Sequence, residues 1–107
     1  MKKFRDVLGL YTLEEKEPVR VLDVVEWAEK YGSIQHVLKS TTIKDVEVST
    51  IFIGIDTAIY SEKTMLFETM IFGGKFHLHQ RRYHTWDEAI AGHDQVCRQI
   101  RREIKKA

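Results

Sequence analysis

Between Val46 and Tyr83 the chain passes through three successive segments of period-two character, and this stretch limits the possible folds more than any other part of the sequence. Val46, Val48, Thr50, Ile51 and Ile53 mark the first segment, Thr64 to Phe72 the second and Lys75 to Tyr83 the third. β-Branched and aromatic side chains at this spacing suit a pleated, partly buried surface. Gly73-Gly74 accepts positive φ angles and predicts a two-residue hairpin turn between the second and third segments. Upstream, Val37, Thr41, Thr42 and Ile43 add a further strand, joined through a turn at Lys44-Asp45. Asp56 to Lys63 is a polar connection.

Two helices flank these strands. Asp23-Val24-Val25-Glu26 has the character of a capping box, with Val24, Trp27, Ala28 and Tyr31 following at helical spacing and Gly32 available to end the helix. Thr85-Trp86-Asp87-Glu88 is a second capping box. From it, Trp86, Ala89, Ile90, His93, Val96, Cys97, Ile100 and Ile104 form one continuous stripe that should lie on the sheet. The cations Arg98, Arg101, Arg102, Lys105 and Lys106 crowd the end of this helix, where they complement its carbonyl dipole. The fold expected is α+β: a four-stranded antiparallel β-meander with a short N-terminal helix and a long C-terminal helix packed on one face. One domain spans residues 1–107, with 21–107 as its core and 1–20 as an arm. In that arm Phe4, Val7, Leu8, Leu10 and Tyr11 read as a short amphipathic helix broken at Gly9, and Glu14, Glu15 and Glu17 read as a linker before Pro18.

In the strand from Glu47 to Ile55, Ile51, Ile53 and Ile55 share one face while Val48, Thr50, Phe52 and Gly54 share the other. Two apolar faces imply two covers, and one long helix supplies only one. The Asp23–Tyr31 helix or a second copy of the chain should cover the other, so a homodimer is expected.

The formal net charge of +1 gives no global attraction to nucleic acid or to a membrane surface. Nucleic-acid binding is not expected: Lys75, His77, Arg81 and Arg82 lie near Tyr83, but without a pattern of stacking aromatics. A single cysteine rules out an internal disulfide framework. No apolar run approaches a membrane span and the first residues lack a secretion signal, so a cytoplasmic location is expected.

His77 and His79, with His84, His93 and the carboxylate of Glu68, form the most metal-like grouping in the sequence. It lacks a further spaced ligand motif, and no metal or cofactor is expected. Glu68 stands inside the apolar run Leu66-Phe67-Glu68-Thr69-Met70, where a carboxylate must be paired, hydrogen-bonded or neutral. Arg81, Arg82, Tyr83 or His93 can meet it, and an internal ion pair that fixes strand register is the favoured reading. No serine or cysteine triad is assignable, and Cys97 lies on the helix stripe that faces the core.

Val48-Ser49-Thr50 with Phe52, Gly54 and Asp56, then Leu66-Phe67-Glu68-Thr69-Met70 with Phe72-Gly73-Gly74, then Arg82-Tyr83, Thr85-Trp86, Glu88-Ala89 and Gly92-His93 form a spaced pattern over the last two-thirds of the chain. In this pattern the sequence resembles a family of small proteins of tailed bacteriophages and prophages. The resemblance implies phage origin, an α+β unit and the host cytoplasm during infection, and it carries no activity. The resulting expectation is an accessory protein without catalytic activity. Such a protein would bind a host protein or a small signalling molecule and so blunt a host defence. Glu68, Arg82, Tyr83 and His93, with Thr50 and Asp56 from the pattern, are the candidate ligand or polar-network residues. The competing expectations are a small hydrolase or nuclease using Glu68, His79, His84 and His93, and a structural component of the virion.

Overall fold

The alternation in the central segment produces the element on which the others are built. In a computed structural model, which describes residues 9–34, 36–56 and 62–106, the chain forms β1 (Gly9–Glu14), β2 (Glu17–Arg20), α1 (Val24–Ser33), β3 (Val37–Ile43), β4 (Val46–Phe52), β5 (Ile55–Asp56), β6 (Phe67–Phe72), β7 (Gln80–Tyr83) and α2 (Trp86–Lys106). The four strands β3-β4-β6-β7 pair in that order, all antiparallel, so the expected α+β meander is present. Lys44, at φ 52°, makes the tight β3–β4 turn where the sequence marks it.

Register places Val48 opposite Ile71, Thr50 opposite Thr69 and Phe52 opposite Phe67. These residues are buried beneath α2, while Glu47, Ser49 and Ile51 point to the opposite face. Two apolar clusters result. One joins Val46, Val48 and Ile71 to Val96, Cys97 and Ile100 of α2; the other joins Phe52, Leu66, Phe67 and Ala89. Along both the strands and the helix, the band between these clusters is polar: Thr50, Thr69 and His93, all buried.

Both caps form. The Asp23 carboxylate accepts from the amides of Val25 and Glu26, at 2.8 and 3.3 Å. The Thr85 hydroxyl accepts from the Glu88 amide at 3.1 Å, and Glu88 reaches back to the His84 amide at 3.3 Å. Gly92 allows α2 to lie close on the sheet, because a Cβ there would overlap the ring of Tyr83. Gly92→Ala is therefore expected to destabilise the fold by about 1–2 kcal/mol in urea titration, because overpacking outweighs the ~1 kcal/mol that alanine gains in helix propensity.

Several expectations are corrected. Leu10 and Tyr11 lie in β1 rather than in a helix; Phe4, Val7 and Leu8 fall outside the described residues. The acidic segment is a hairpin turn, not a linker, with Glu15 at φ 57° and Pro18 opposite Leu13. Together with β5 this hairpin forms a second sheet in the order β2-β1-β5. The central strand stops at Phe52 because the chain bends at Gly54, φ 80°, so Ile53 and Ile55 do not extend its open face. That face is mixed: Val37, Ile51, Met70 and Phe72 with Glu47, Ser49, Glu68 and Arg82.

The helix α1 does not cover the open face either. Trp27 donates to the carbonyl of Tyr11 at 2.9 Å and Tyr31 to that of Phe52 at 3.3 Å, while Tyr31 and Ile34 pack against the Phe52 cluster. Among the described residues, no element lies over the open face. In the expected connection from Asp56 to Lys63, residues 57–61 lie outside the described part of the chain.

Candidate functional site

Glu68 stands directly opposite Arg82 across the β6–β7 ladder, and the guanidinium donates from Nε to its carboxylate at 3.1 Å. The pair sits on the open face, Glu68 nearly covered and Arg82 partly exposed. This is the register-fixing ion pair favoured from sequence.

His93 is elsewhere, fully buried on the side of α2 that faces the sheet. Its Nδ1 bonds the Thr50 hydroxyl at 2.7 Å and its Nε2 the Thr41 hydroxyl at 2.8 Å, while Thr50 in turn bonds Thr69. Burial, assisted by the nearby charge of Lys39 and opposed by Asp94, pushes the His93 pKa below its ordinary value. The neutral ring needs one nitrogen to donate and the other to accept, and the hydroxyls on either side serve both roles. Just outside, Lys39 donates to Asp94 at 2.7 Å and holds that carboxyl below the usual range.

The other candidates scatter. Tyr83 lies over Gly92, and its buried hydroxyl finds no partner among the described residues. Asp56 pairs with Gly9 between β5 and β1. His84 donates to the carbonyl of Thr64 at 2.7 Å. His77 and His79 do not share a strand, because Gly73-Gly74, although both at positive φ, begin a seven-residue connection through His79 rather than a two-residue turn. His77 accepts from the Gly73 amide within that connection at 2.8 Å. Glu68, His79, His84 and His93 therefore do not converge. Among the described residues no group of three or more His, Cys, Asp or Glu is placed to hold a metal.

The lengthened connection creates what the sequence did not suggest. β7 begins at Gln80, opposite Met70, so the sheet narrows beneath the second half of α2 and the helix overhangs it. A cleft of about 600 Å³ opens there, with Thr69, Ile71, Val96 and Ile100 as its floor and Phe76 in its wall. Its polar rim brings His79, Arg81, Arg102 and Lys106 together from the connection, β7 and α2. Leu78, at φ 68°, kinks the wall beside His79 in a conformation that costs a non-glycine residue about 1–2 kcal/mol.

Arg81 is the best-positioned of these cations. Its guanidinium donates to the side-chain carbonyls of Gln95 at 3.2 Å and Gln99 at 2.8 Å. Both partners are neutral amides, so they fix the fork without cancelling its charge, and they use two of its five N–H donors. The one acid in the lining, Glu103, is contacted by Lys75 at 3.3 Å and Lys106 at 3.6 Å, which hold its carboxyl below the ordinary range. An apolar floor with a net cationic rim can receive a small anion.

In the sequence, Gln95, Gln99, Arg102 and Lys106 repeat at spacings of four, three and four, a polar stripe beside the apolar one. That stripe was the available signal. The cations at its end were explained by the helix dipole, and Arg81 was read as a possible partner of Glu68, because the two-residue turn gives the wrong register for β7.

No helix among the described residues is long and apolar enough to cross a membrane. Compared with family models, with curated proteins and with solved structures, the chain matches none.

Proposed function

We propose that this chain is a non-enzymatic binding protein that holds a small anionic molecule in the cleft between the 73–79 connection, β7 and the second half of α2. The observation that carries this reading is Arg81, a half-buried guanidinium anchored by Gln95 and Gln99 and left with its charge at the rim of an apolar-floored cleft. The phage-type resemblance supplies a setting: an accessory protein in the host cytoplasm that sequesters a small signalling molecule and so blunts a host defence.

Calorimetric titration with inorganic phosphate, short carboxylates and nucleoside monophosphates tests the reading. At least one anion is expected to bind saturably, and Arg81→Gln is expected to weaken it about tenfold, the loss of roughly 1.4 kcal/mol from one charge-assisted contact. The urea midpoint of the variant should stay near that of the wild type. If no anion binds saturably, the reading fails.

The expected homodimer belongs here as well. Its surface would be the open face, where Ile51 and Met70 are flanked by the closed Glu68–Arg82 pair, whose charges cancel, so that two copies can meet without strong repulsion. Sedimentation equilibrium should then give twice 12.6 kDa; a monomer mass at high micromolar protein contradicts it.

A further inference from the structure

Beside the cationic cleft lies a second hollow of about 260 Å³, beneath Gly73-Gly74. Its side-chain lining is almost entirely apolar: Val46, Ile71, Phe76, Ile100 and Ile104, with the Lys75–Glu103 pair at its mouth. The two spaces share Ile71, Phe76, Ile100 and Glu103, so they are neighbouring chambers that meet along these side chains. Lys75 lies 5.7 Å from the centre of the Phe76 ring and the His79 ring lies tilted against it at 5.5 Å.

We infer that the ligand is amphipathic: one anionic head, phosphate or carboxylate, held at Arg81 and Arg102, and one unbranched aliphatic chain laid past Phe76 into the chamber walled by Val46 and Ile104. This rests on the anion-binding reading of the larger cleft and names the class of molecule it takes. Apolar side chains without convergent hydrogen-bonding groups in the second chamber reward aliphatic surface, whereas a nucleobase or a sugar would lose hydrogen bonds to water there. Together the chambers fall within the volume range of small-molecule sites, and the smaller one has room for a single short chain.

Two homologous series, alkyl phosphates and alkyl carboxylates from four to eight carbons, titrated calorimetrically into the full chain, separate the possible sources of the head group. Affinity should rise roughly two- to fourfold per methylene in whichever series binds, the upper value corresponding to full burial of each CH₂. Arg81→Gln should weaken every member of that series by the same factor. Ile104→Trp fills the apolar chamber, and it should abolish the dependence on chain length while leaving four-carbon binding intact. Ile104→Phe serves the same purpose if tryptophan lowers the unfolding midpoint. An affinity independent of chain length, or a length dependence that survives filling of the chamber, overturns the inference while leaving the anion site standing. Absence of binding by every member overturns the inference, and absence of binding by inorganic phosphate and nucleoside monophosphates as well removes both readings.

Discussion

Phe52→Ala is expected to lower the free energy of unfolding by about 3–5 kcal/mol, a large share of the 5–15 kcal/mol typical of a whole domain. Phe52 has no exposed surface and stands at the centre of an aromatic series that crosses the fold. Its ring lies 6.3 Å from Tyr31 of α1 and 5.4 Å from Phe67, which meets Trp86 of α2 edge-on at 6.3 Å. Truncation removes apolar area and leaves a void bounded by β4, β6 and two helices, which cannot all move inward together. Tyr31 would also lose its platform, and with it one of the contacts that hold α1. Leu22→Ser and Val24→Ser are the comparison, since both side chains are largely exposed and should change stability by less than about 0.5 kcal/mol. Urea unfolding at neutral pH measures all three.

His93→Ala is expected to cost roughly 2–4 kcal/mol, for a different reason. The substitution opens a cavity between the two apolar clusters and also deprives the Thr50 and Thr41 hydroxyls of their partner. Wild-type histidine carries a pH signature that a purely apolar core residue would lack. Its folded pKa is depressed by burial, so above the unfolded value near 6.5 both states hold a neutral ring and the group contributes no pH dependence. As pH falls below about 6.5 the unfolded chain takes up a proton that the folded one refuses, and stability declines by up to about 1.4 kcal/mol per pH unit until the folded pKa is reached. Subtracting the profile of His93→Gln, which has no such group, isolates the contribution. Identical slopes in the two proteins between pH 6.5 and 5 would show that His93 is protonated in the fold.

The sheet and α2 were legible because local signals and tertiary packing agree there. Capping residues, the 3.6-residue stripe through Ala89, Val96 and Ile100, and the turn at Lys44-Asp45 all favour the structure that forms. The segment from Gly9 to Glu17 was misread because its acidic turn resembles a linker. Thr12 and Leu10 alternate with Tyr11 over too short a run to announce a strand, and β1 is held both by β2 across the Glu15-Lys16 turn and by non-local pairing with β5. Gly73-Gly74 carried the chemistry of a tight hairpin, but the backbone runs on to Leu78 and His79, which bond to Ile71, before the regular ladder begins at Gln80. This moves Arg82, rather than His79, opposite Glu68. A three-residue change in pairing thus separated the sequence candidates from one another and opened the cleft. That Glu68 needs a partner was legible, with Arg82 one of four side chains considered, and His93 was correctly placed on the buried stripe, because both inferences needed only the cost of burying a polar group.

The cleft as a binding site is tested most directly by amide and methyl NMR shifts on titration with octyl phosphate. Shifts should concentrate at Ile71, Phe76, Arg81, Gln99, Ile100 and Ile104, saturate together, and leave Ile51 and Met70 on the open face unmoved. Saturable shifts centred on the open face, or none at millimolar ligand, would contradict the account.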